Sequence, residues 1–194
     1  MELERSVQAV EKIFKLFLRI PLIIGQKNNG SSSSNSDGAE IESANGINSA
    51  TAWSMYWLPV VSGLSQQCYH RLPEVRQISL IYLQRSLLLP ELAKGLSPEL
   101  WAECFDLVLF PLLQALLRPE IQELDGMAET RIRAAALVSR IFLQNLGRLH
   151  DWPGLADIWM HLLETLEVYY KHATSELFVS IVLHIVSYRI ISYF

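Results

Sequence analysis

From Trp53 onward, apolar residues return every three or four positions almost without pause, and no stretch before residue 175 alternates as a strand would. That spacing lines apolar side chains along one face of a helix. It restricts the chain to helix packed on helix. Trp53, Tyr56, Trp57, Val60, Val61, Leu64 and Cys68 form the first stripe. Pro73 opens the next helix, at a position where proline is tolerated. There Val75, Ile78, Ser79, Tyr82, Leu83 and Leu89 face one way, and Arg76, Gln77, Gln84 and Arg85 supply the polar positions.

Ser97-Pro98-Glu99 is a helix start: serine caps, proline fits the first turn, and the carboxylate suits the positive end of the dipole. Leu100, Trp101, Cys104, Phe105, Val108, Leu112 and Leu116 follow at helical spacing. Pro111 lies inside this run and is expected to kink or split it, because proline lacks a donor and clashes with the preceding turn. Residues 118–126 are polar and read as a loop.

Met127 to Leu146 predicts a helix with two apolar stripes. Ile132, Ala135, Ala136, Ser139, Leu143 and Leu146 make one; Ala134, Leu137, Val138 and Ile141 make the other. A helix apolar on two sides is sandwiched, as the inner helix of a stacked repeat is. Gly147 is expected to cap its end. Asp151-Trp152-Pro153-Gly154 is turn chemistry. Leu155, Ile158, Trp159, Leu162, Leu163, Leu166 and Tyr169 predict another helix, and Thr174 or Ser175 can cap a last one from near Glu176.

The rhythm is helix, turn, helix, loop, in pairs near 53–90, 97–147 and 154–194. This is the period, about 40–50 residues, of HEAT and armadillo arrays. The expected fold is therefore all-α: a HEAT/armadillo-like α-solenoid segment of antiparallel helix pairs over 53–177. Val75-Arg76 and Ile132-Arg133 sit at similar places near the starts of second helices, as HEAT arginines often do.

The ends read differently. Residues 1–24 predict an N-terminal helix of the same array, with Val7, Val10, Phe14, Phe17 and Leu18 on one stripe and Pro21 ending or kinking it. Lys12, Lys15 and Arg19 give it a basic side. That side fits either an anionic membrane surface or the solvated face of a repeat helix. Glu2, Glu4, Lys15 and Arg19 do not fit a signal peptide. Residues 25–52 have almost nothing apolar to bury and predict a disordered polar loop. The sequon Asn29-Gly30-Ser31 falls there, and a cytosolic chain would not be glycosylated on it. Residues 178–194 form an atypical apolar tail. Leu177–Phe194 is a candidate tail anchor, though it is short for a span and carries His184 and Arg189.

No catalytic, cofactor-binding or metal-binding residue is assigned. The net charge of −4 and pI of about 5.7 give no support to nucleic-acid binding. Cys68 and Cys104 form no CxxC pair and read as reduced, buried residues of a cytosolic protein. His161-Leu-Leu-Glu164 puts a histidine and a carboxylate on one face. Di-iron bundles use Glu-x-x-His in duplicate, and here there is a single copy in reversed order. The other histidines lack zinc-like spacing. Neither a G-x-S-x-G elbow nor a phosphate-binding P-loop occurs. Arg131, Arg133 and Arg140 form either a basic patch or a solvated helix face with Glu129 beside it. The tryptophans sit at helical spacing, as core residues do.

Three stretches carry a resemblance: Val75–Leu88 (VRQISLIYLQRSLL), Leu100–Leu117 (LWAECFDLVLFPLLQALL) and Met127–Leu146 (MAETRIRAAALVSRIFLQNL). With Tyr56-Trp57-Leu58-Pro59 before them, they resemble the C-terminal region of the large ARF guanine-nucleotide exchange factors of the Golgi brefeldin-A-resistance type. The resemblance covers about Trp53 to Leu177. It implies a HEAT-like region downstream of an exchange domain, which helps place the enzyme on Golgi membranes and regulates its output. The exchange domain and its glutamate finger have no counterpart here, so the chain is expected not to be an enzyme. The implied partners are other regions of the parent factor and Golgi membrane lipids, with ARF reached only through the missing domain. The implied location is cytoplasmic, peripheral on Golgi membranes. After Ser175-Glu176-Leu177 the family carries charges where this chain reads FVSIVLHIVSYRIISYF. That departure, with Met1 falling mid-domain, predicts a fragment. A generic HEAT-type scaffold unrelated to ARF and a tail-anchored membrane protein are the alternative functions.

Overall fold

The computed structural model describes residues 1–29 and 49–172, and among these residues the secondary structure is all helical. Helix α1 is Glu2–Asn29. Helix α2 spans 49–67, α3 is Pro73–Leu87 and α4 is the short Pro90–Gly95. Helix α5 spans 98–116, α6 is the single turn Pro119–Gln122, α7 is Met127–Leu149 and α8 is Leu155–His172.

Two layers result. Helices α2, α5 and α8 form one, with the second half of α2 against the middle of α5 and α8 against the end of α5. Helices α1, α3 and α7 form the other, α3 lying between its two neighbours. The pairs α2–α3 and α5–α7 cross between layers, and α1 packs on both helices of the first pair. This is the stacked arrangement the apolar rhythm predicts. The described part of the 25–52 segment is helical at both edges, because α1 runs to Asn29 and α2 starts at Ser49, where Ala52 is buried. The rest of that segment, the tail 178–194 with its anchor reading, and the expected cap at Thr174 or Ser175 lie outside the described residues.

Prolines open four of the eight helices described. Pro73, Pro90, Pro98 and Pro119 stand in the first turn of their helices, where no intrahelical N–H is needed. Ser97 caps α5 as expected, its hydroxyl accepting from the Leu100 N–H at 3.4 Å. Pro111 does not split the helix. A five-residue π-helical turn, Phe105–Leu109, precedes it, and the Phe110 N–H bonds the Phe105 carbonyl. The same device stands in α2, where the turn Trp53–Trp57 precedes Pro59 and the Leu58 N–H bonds the Trp53 carbonyl. The wider turn brings the chain into each proline with its last hydrogen bond already made five residues back. The α-helical pattern that proline would break is therefore interrupted before it arrives.

Pro21 also lies inside a helix and does not end it. Val10, Phe17 and Ile20 of α1 are buried on α2 and α3, and Phe14 stacks on Tyr82 with ring centroids 4.5 Å apart. That packing holds the helix through the one backbone bond proline forfeits. Leu18, placed on the apolar stripe by sequence, is exposed instead. Residues 118–126 hold the α6 turn, closed by the Gln122 amide donating to the Leu117 carbonyl at 2.8 Å. Gly147 is not a cap: α7 continues to Leu149. Among the described residues, the glycine with a left-handed backbone is Gly126, φ 67°, immediately before α7.

A candidate protein-interaction groove

The two Val/Ile-Arg dipeptides sit at comparable sequence positions and do different things. Arg76 is fully buried. Its Nη1 donates to the His70 and Arg71 carbonyls at 2.9 and 3.0 Å, and its Nε donates to Thr130 Oγ1 at 3.2 Å. Its Nη2 donates to the Asp125 carbonyl. The guanidinium thus ties the α2–α3 turn to the loop before α7. Burial pulls its pKa below the usual arginine value, against the opposing pull of Asp125 and Glu74. Arg133, by contrast, is exposed and pairs with Glu129 one turn earlier on α7, at 2.6 Å.

Fixing α7 beside α3 in this way creates a groove between them. Its rims are polar: Gln77 and Gln84, two turns apart on α3, face Arg133 and Arg140, two turns apart on α7. Its floor is Leu80, Ile81, Ala136 and Leu137. Leu80 and Leu137 are nearly covered, whereas Ile81 is 45% exposed. The structure therefore brings Arg133 and Arg140 together and leaves Arg131 out. Arg131 lies on the other side of α7, close enough to Tyr169 of α8 to bear on its phenol electrostatically. Sequence reasoning placed Gln77 and Gln84 among the polar positions of α3 but did not pair them with the arginines. Their two-turn spacing on α3, repeated by the arginines on α7, was the available signal.

Several other residues singled out from sequence pack in or against the core. His161 lies against Phe110, ring centroids 4.0 Å apart, and among the described residues no group of His, Cys, Asp and Glu is placed to hold a metal. Cys68 and Cys104 are fully buried, and burial pushes both thiols well above their ordinary pKa. Trp53 and Trp101 are in the core, and the Trp53 indole donates to Glu103 at 3.0 Å, linking α2 to α5. No helix among the described residues is long and apolar enough to cross a membrane.

Comparison with known proteins places this architecture. The family described as "GBF1-like, tetratrico peptide repeat region" matches residues 57–185. The chain belongs to that family. Members are described by tetratricopeptide repeats where the sequence reading named HEAT-like pairs; both are stacks of antiparallel helix pairs. The match runs past Leu177, where the family resemblance was expected to stop.

Among curated proteins, this GBF1-like chain is 30% identical over 170 residues to the Golgi-specific brefeldin A-resistance guanine nucleotide exchange factor 1 homolog of Caenorhabditis elegans, covering 87% of the chain. It is 31% identical to the ARF guanine-nucleotide exchange factors GNOM and GNL1 of Arabidopsis thaliana, over 59% and 58% of the chain. The chain spans about 8% of the length of each of these relatives. No solved structure matches it.

Proposed function

We propose that the chain serves as a non-catalytic, regulatory and membrane-targeting helical-repeat region of a Golgi ARF guanine-nucleotide exchange factor, acting in vesicle-mediated transport. The observation that supports this reading is the family match over residues 57–185, to a region described by its repeats, together with relatives named as ARF exchange factors. A stack of helix pairs offers extended surfaces on which other chains or membranes can bind. Its partners on this reading are other regions of the parent factor and Golgi lipids, with the chain cytoplasmic and peripheral on that membrane.

The test is to express the chain as a fluorescent fusion and image it against a Golgi marker, while assaying purified chain for nucleotide release from ARF. Coincidence with the marker, and ARF nucleotide release no faster than the spontaneous rate, is the expected result. A uniformly diffuse signal removes the targeting role, and accelerated release removes the non-catalytic one.

A further inference from the structure

The α3–α7 groove has a pattern that specifies its occupant. Arg133 and Arg140 stand two turns apart on one rim, about 10 Å along the helix axis. Ala136 and Leu137 fall midway between them, opposite Leu80 and Ile81. Arg140 has no carboxylate partner among the described residues. Among the described residues Arg133 has only the exposed pair with Glu129, both side chains about half exposed, and such pairs are readily exchanged. On the other rim, Gln77 and Gln84 offer amides that donate and accept.

We propose that this groove is a docking site for an acidic amphipathic helix. A helix presents side chains two turns apart on one face at the same axial spacing as the two arginines, so two carboxylates so placed meet both guanidinium groups together. Apolar residues midway between those carboxylates then meet Ile81 and Leu80, removing from water the one large apolar side chain that the floor exposes. Charge fixes the sign of the partner, and the apolar floor between polar rims favours an inserted peptide over a flat lipid surface. The proposal rests on the groove alone and goes beyond the exchange-factor reading, so its failure leaves that reading intact.

The test uses the full chain and a synthetic, end-blocked helical peptide with glutamates two turns apart flanking two leucines. Binding is followed by fluorescence polarisation. A second peptide carries lysines in place of the glutamates. Saturable, salt-sensitive binding of the glutamate peptide is expected, weakened about tenfold by Arg140→Glu and also weakened by Ile81→Ser. Arg140→Glu should in turn improve binding of the lysine peptide. Arg140 and Ile81 are both exposed, so these variants keep the fold, which far-UV circular dichroism checks. Binding that is unsaturable or indifferent to Arg140→Glu overturns the proposal. So does a chain that ignores the peptide but binds phosphatidylserine-containing vesicles through Arg140, which would assign the groove to a membrane surface.

Discussion

Arg76 Nε on α3 donates to Thr130 Oγ1 in the first turn of α7, 3.2 Å away, and this bond crosses from one helix pair to the next. Thr130 is itself anchored, its hydroxyl donating to the Gly126 carbonyl at 3.0 Å. The joint therefore consists of one buried cation held by carbonyls and a hydroxyl, with no buried carboxylate among its hydrogen-bond partners.

Removing that cation leaves the His70, Arg71 and Asp125 carbonyls short of a donor. Arg76→Leu should lower stability by about 3 kcal/mol, read as a fall in the urea midpoint. Arg76→Lys keeps the charge but loses the fork of donors, and should fall between the two. A midpoint unchanged by Arg76→Leu would show that the joint contributes nothing to the stack.

The α2–α5 contact has its own polar link, the Ser65 hydroxyl on the Val108 carbonyl within the π-helical turn, at 3.4 Å. Ser65→Ala should cost about 1 kcal/mol, because the carbonyl stays buried without that donor. Ser54→Ala, at an exposed site in the other π-helical turn, should stay within about 0.5 kcal/mol of the parent. Equal losses from the two would deny the Ser65 bond any specific role.

Tyr169 donates its phenolic hydroxyl to the Leu113 carbonyl at 2.8 Å, and burial raises its pKa, with Arg131 opposing. The folded value lies above the unfolded one, about 10. Its contribution is therefore full below about pH 10 and is lost as pH rises past that toward the folded value. Thermal melts across alkaline pH should show stability falling from about pH 10, and falling less in Tyr169→Phe. At neutral pH that variant should be less stable by about 1 kcal/mol, from the lost hydrogen bond. Parallel pH profiles for the two proteins would contradict the assignment.

Much of the stack was legible in the chain. The stripes of α2, α3, α5, α7 and α8 were read from apolar spacing, and the Ser97 cap and the prolines at 73 and 98 from local chemistry. Such signals act within one or two turns, so sequence exposes them directly. What it hid was set by neighbours. Pro21 and Gly147 carry helix-ending chemistry, yet packing holds both inside helices. Val75-Arg76 and Ile132-Arg133 look alike in sequence, but only Arg76 meets a turn and a loop that can surround it. The groove needed two helices side by side before Gln77 and Arg133 became neighbours, so the arginines alone read as ambiguous.

The two π-helical turns carry a consequence for how this chain can change length. Each holds one residue more than the α-helix around it would use, and the helix absorbs that surplus locally. Losing a single residue from within Phe105–Leu109 would let the turn relax to ordinary winding while Trp101 and Leu112 kept facing the core. The same loss in the middle of α7, which has no such slack, would rotate every following side chain by about 100° and turn Ile141 and Phe142 away from their neighbours. Single-residue deletions just ahead of Pro59 and Pro111 therefore keep the core residues in phase, while returning each proline to an α-helical turn.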